Sequence, residues 1–127
     1  MKIVILILAL LSFNVLACDE SILPKIQTFD VKNGTQAKEA QTLFAKSIPC
    51  LAQEKHLDIN IAVLKLYLRV IEFNNNFEQF EILFPYFKKH KPYFEKTVMK
   101  SFSTRERKLI IDHYTQYLVF DEQGGNG

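Results

Sequence analysis

Glycine is nearly absent from this sequence. Of its four glycines, three fall among the last four residues and the fourth follows Asn33. That excludes the glycine-rich loops that cradle phosphates and dinucleotides. No segment alternates apolar and polar residues over a useful length, so the signature of a half-buried strand is missing. Histidine is as thin: His56, His90 and His113 stand singly, with no His-x-x-x-His pair. Two cysteines, Cys18 and Cys50, make no zinc pattern. Asp112 and His113 are neighbours, but on a helix they point about 100° apart and make poor triad partners. There is no nucleophile elbow. Glu54 with Asp58, and Glu78 with Glu81, are spaced as paired carboxylates of the kind used in glycosidic chemistry, but on helices such pairs are usually solvated charges. The expectation is therefore no catalytic residue, no metal site and no cofactor, without excluding an enzyme.

A large excess of one charge is missing too. Sixteen basic residues face fourteen acidic ones, for a net of +2. A protein built for phosphate backbones carries a larger surplus, so no nucleic-acid partner is expected. The distribution is uneven, however. Residues 85–108 hold eight lysines and arginines against Glu95 and Glu106, while acidic residues outnumber basic ones over the rest of the exported part.

What is present begins with an export signal. Met1-Lys2 supplies a short positive start, Ile3 to Leu11 is unbroken apolar chain, and Val15-Leu16-Ala17 closes it with a small residue. Residues 1–17 read as a cleaved signal peptide, too short and too polar at Ser12 and Asn14 for a bilayer span. The destination is the periplasm or the exterior. In an oxidising compartment two cysteines imply one Cys18–Cys50 disulfide. Val-Leu-Ala-Cys also resembles a bacterial lipobox, with Cys18 as a lipid anchor; an S-acylated Cys18 excludes the bridge.

The remainder, 18–123, reads as one all-α domain, a single compact bundle of five or six helices, with 124–127 a disordered tail. Residues 18–34 are irregular, though Ile22, Leu23, Ile26 and Phe29 also suit a short helix. Thr35 caps a helix to about Lys46, and Ser47-Ile-Pro49 starts another that carries Cys50. Asp58 caps the most apolar segment, Ile59 to Phe73. There Ile61, Leu64, Leu68 and Ile71 form one face, and Val63, Leu66, Tyr67 and Val70 widen it; a helix apolar on most sides is central. Asn76 with Gln79 makes a capping box for Phe77 to Phe84, and Ser103 with Glu106 makes one for the last helix. Pro-Tyr-Phe occurs at 85–87 and again at 92–94. Each proline suits the first turn of a helix, and the seven-residue shift aligns Phe87 with Phe94 and Tyr86 with Tyr93.

Function follows by class rather than by motif. The expectation is a small exported helical protein that binds and neutralises another protein, such as an immunity or inhibitor protein facing a secreted hydrolase that degrades the cell envelope. The candidate partner surface is Tyr86, Lys88, Lys89, Lys91 and Tyr93, with tyrosines as anchors and lysines for an acidic cleft. An acidic alternative is Asp58, Glu78 and Glu81. The second function class is a lipid- or small-ligand-binding module at a membrane surface. Exposed tyrosines at 86 and 93 would also suit a homodimer.

Overall fold

A computed structural model describes residues 17–31, 37–73 and 78–122. The expected signal peptide up to residue 16, the expected Thr35 and Asn76 caps, and residues 123–127 lie outside these residues. Among the described residues there are six helices and no strand: α1 (Ile22–Thr28), α2 (Ala37–Ala52), α3 (Leu57–Phe73), α4 (Phe84–Lys89), α5 (Lys91–Ser101) and α6 (Thr104–Glu122).

The chain first turns at Asp19, whose carboxylate accepts hydrogen bonds from the Ser21 backbone N–H at 3.1 Å and the Ser21 hydroxyl at 2.6 Å. The following helix α1 is real, and it buries Ile22 and Ile26, one turn apart on a single face. Cys18 and Cys50 form a disulfide with Cα atoms 4.5 Å apart. The bridge pins the segment before α1 to the last turns of α2, and it takes the sulfur that a lipid anchor would need.

Helix α2 corrects the expected break at Ser47. It continues through Pro49 to Ala52. Pro49 costs a backbone hydrogen bond, but one more turn carries Cys50 and Leu51 into the core. Buried Ser47 satisfies its hydroxyl by donating to the Phe44 carbonyl at 2.7 Å. The helix then ends in a turn where Glu54 has φ 55°. Helix α3 begins at Leu57, one residue before Asp58, so Asp58 sits inside the first turn. Its carboxylate accepts the Ile59 N–H, and the His56 carbonyl receives the first helical bond, from Asn60.

Helix α3 is central, packed on α1, α2, α5 and α6. The residues expected only to widen its apolar face lie deepest, with Val63, Leu66, Tyr67 and Val70 sealed from solvent, while Ile61 and Ile71 are half-buried. The reason is aromatic. Tyr67 meets Phe80 at 4.4 Å and Phe87 at 5.9 Å between ring centroids, and Phe84 stacks on Tyr117 at 4.0 Å. Burying each such ring is worth about 2–3 kcal/mol.

Residues 78–83 form turns, correcting the helix expected to Phe84. Phe80 and Leu83 are wholly buried there, so core packing rather than a helical ladder fixes this segment. Each Pro-Tyr-Phe does open a helix: Pro85 lies in the first turn of α4 and Pro92 in that of α5. His90 separates them with φ −110° and ψ 38°. Phe87 and Phe94 stack at 4.1 Å with planes 12° apart. The Ser103–Glu106 capping box is formed in both directions, at 2.9 and 3.2 Å.

Candidate functional site

The α4–α5 corner gathers most of the residues that the sequence nominated. Lys88 and Lys89 close α4 and are exposed. Among the described residues neither has a carboxylate within ion-pair distance. Lys91 is exposed as well, but Glu95 one turn on lies 3.8 Å from its ammonium. The tyrosines are not the free anchors expected. Tyr86 is half-buried and stacks parallel to His90, with centroids 6.1 Å apart. Tyr93 is also half-buried. Burial pushes its hydroxyl upward; the Asn60 side chain opposes this, and Glu54 and Asp58 add to it. Together Tyr86, His90, Tyr93, Asn60 and Leu51 wall a narrow cleft. The homodimer expectation thereby loses the exposed aromatic pair on which it rested.

Asn60 lies at the back of that cleft, 6% exposed, and its side chain approaches the Tyr93 hydroxyl, though Nδ2 makes no well-formed hydrogen bond. At the cleft mouth His90 Nδ1 contacts Glu54 Oε2 at 2.5 Å. That contact ties the α2–α3 turn to the α4–α5 corner. His56 ties the same turn to the segment before α1, with Nδ1 3.2 Å from Glu20 and Nε2 2.8 Å from Gln53.

Beyond Tyr93 the cleft gives way to an open groove of about 280 Å³ between this turn and α5. Lys55, Lys96 and Lys100 stand along it, with Leu57 half exposed at its edge. Sequence reasoning counted Lys96 and Lys100 only as part of a basic stretch and passed over Lys55. Spacing shows Tyr93, Lys96 and Lys100 on one helical face. Only the tertiary fold adds Lys55 and Leu57.

The acidic alternative is dispersed. Asp58 lies in another groove with Lys65 and Arg69, between α1 and α3. Glu78 and Glu81 flank Phe80, which packs on Tyr67. Nine residues of helix, about 13 Å, separate Tyr67 from Asp58. Three carboxylates so placed make no single acidic surface.

His113 is buried at 5% exposure, and its Nδ1 is hydrogen-bonded to the Tyr67 hydroxyl at 2.5 Å. Burial first, and then neighbouring Tyr114, holds the Tyr67 hydroxyl far above its ordinary pKa, so the phenol keeps its proton. Asp112 pairs with Lys108 at 2.9 Å on the exposed side. Among the described residues no three histidine, cysteine or acidic side chains are grouped to hold a metal, and no helix is long and apolar enough to cross a membrane. What the α4–α5 corner offers is a rigid, cationic, partly aromatic surface suited to binding. Compared with family models, with curated proteins and with solved structures, the chain matches none.

Proposed function

We propose that this is an exported protein that binds another protein through the basic face of α4 and α5, and that it neutralises its target by doing so. The observation that carries the reading is that Lys88, Lys89, Lys96 and Lys100 are exposed without carboxylate partners among the described residues, on a helical corner held by stacked phenylalanines. A binder gains affinity when its surface is ordered before encounter, because less entropy is lost on docking. The disulfide supports the oxidising compartment that the N-terminal segment implies. In that compartment the suitable target is a secreted enzyme acting on the cell envelope, held off by an occluding basic surface against its acidic cleft. This is the role of an immunity or inhibitor protein.

The test is affinity capture. The oxidised protein serves as bait for the exported proteins of its own source and of close competitors, and the captured protein is assayed for envelope degradation with and without the bait. A stoichiometric partner whose degrading activity falls on binding supports the proposal. Replacing Lys88, Lys89 and Lys91 together with glutamate then tests the part played by the α4 end of the face. Lipid copurifying with no protein partner would overturn the proposal in favour of a membrane-surface module.

A further inference from the structure

We infer that the groove between the α2–α3 turn and α5 is a docking site for an extended acidic segment of a partner protein. The inference rests on the protein-binding reading above and places the decisive contacts at Lys55, Lys96 and Lys100 rather than at the lysines of α4.

Charge is the first argument. Three ammonium groups line one groove, and among the described residues none has a carboxylate within ion-pair distance. The only acid lining the groove is Glu54, and its carboxylate is held by His90 at one end. Three lysines against one carboxylate leave the groove net positive.

Shape and spacing identify the occupant. Lys96 and Lys100 are one helical turn apart, which puts their side-chain bases about 6 Å from each other. In an extended chain, alternate residues point the same way and lie about 7 Å apart. Two acidic residues flanking one other residue therefore match the two lysines in register. Lys55 faces the same segment from the opposite wall. Leu57 at the edge and the Tyr93 ring supply an apolar spot for one side chain next to the carboxylates. A concave groove admits a chain but not the surface of a bilayer.

The groove is also built before any partner arrives. The disulfide at Cys50 precedes Lys55 by five residues. Glu54 and His56 anchor the turn on either side of Lys55 through His90 and Glu20. Little of the turn's freedom remains to be lost on binding.

The experiment uses a fluorescein-labelled peptide with the core Glu-Leu-Glu-Leu-Glu and its Gln-Leu-Gln-Leu-Gln counterpart, titrated with the oxidised protein at low ionic strength and followed by anisotropy. The acidic peptide should bind and the neutral one should not. The K96E/K100E variant should weaken binding by about tenfold or more, as expected for reversing two rim charges. The K38E/K46E variant, which reverses two lysines of α2 away from the groove, should bind like the parent. All four lysines are exposed, so helix content measured on each variant should be unchanged. Equal losses in both variants would overturn the groove, because a diffuse basic field would then suffice. No binding by the parent would also overturn it. Phosphatidylglycerol vesicles that bind and displace the peptide would reassign the face to a membrane. If the protein partner is captured by K96E/K100E at parental yield, the groove fails while the proposed function stands. If the peptide binds as described but no protein partner is captured, the proposed function fails while the groove stands.

Discussion

Glu54 and His90 meet across 36 residues, with the carboxylate Oε2 2.5 Å from the ring Nδ1. Neither residue belongs to the interior of a helix. Glu54 ends the turn after α2 in the left-handed region, with φ 55°, and His90 sits between α4 and α5. Two irregular points of the backbone thus hold each other. The pair also fixes the position of the one carboxylate that lines the lysine groove.

The backbone at Glu54 makes the first prediction. A side chain with a Cβ is disfavoured at positive φ, and glycine is not. Glu54→Ala loses the His90 contact and keeps the unfavourable backbone, while Glu54→Gly loses the contact and relieves the backbone. Glycine should therefore be the more stable of the two by about 1 kcal/mol, read from urea midpoints. An alanine variant as stable as the glycine variant would mean that the turn does not hold this conformation in solution.

Tyr67 and His113 make the second. Removing the Tyr67 hydroxyl takes away its hydrogen bond to the buried His113 Nδ1, at a cost of about 1–3 kcal/mol. Tyr67→Phe should lose that much in denaturant unfolding. Tyr67→Phe combined with His113→Phe removes both polar partners, so it should recover part of the loss despite changing more atoms. A double variant worse than the sum of the singles would show that His113 contributes mainly by packing, through the rings of Phe80 and Phe84 beside it.

The helical architecture was legible because local signals agreed. Pro85 and Pro92 marked two helix starts, the seven-residue shift brought Phe87 onto Phe94, and Ser103 with Glu106 announced α6. Pro49 misled for the opposite reason. Its local preference is to start a helix, but the disulfide and the burial of Leu51 reward continuing one. Residues 78–83 misled as well, since the Asn76–Gln79 capping pattern announced a helix where Phe80 and Leu83 are instead held in turns by the aromatic core. The site was half legible. Lysines on α4 and α5 are visible in any helical projection. The burial of Tyr86 and Tyr93, and the arrival of Lys55 and Leu57 from a separate turn, depend on contacts far apart in the chain.

The Cys18–Cys50 bridge closes a loop of 32 residues. Chain-entropy arguments put its stabilisation at about 3–4 kcal/mol. The double variant Cys18→Ser/Cys50→Ser should fall by this amount in urea unfolding. The oxidised protein should also weigh about 2 Da less than the reduced one, and adding reductant should bring its stability down to that of the variant. A lipid-modified Cys18 would instead add several hundred daltons and leave stability indifferent to reductant.

The last prediction concerns acid. The Ser103 N–H and hydroxyl hold the Glu106 carboxyl below its ordinary value of 4.5. A carboxyl whose folded pKa is depressed stabilises the protein above its unfolded pKa, and that contribution is lost as pH falls through the folded value. Glu106→Gln keeps a hydrogen-bonding side chain at the third helical position but has no charge to lose. The parent should therefore melt higher than the variant near neutrality, by a small margin because the site is solvent-exposed. The two melting curves should converge as the solution is acidified from about pH 5 to about pH 3. The Asp19 carboxyl, lowered by Ser21 at the other end of the domain, titrates in both proteins alike and drops out of the difference. A gap that persists unchanged at low pH would mean that Glu106 stabilises α6 through the shape of the cap rather than through its charge at the helix N-terminus.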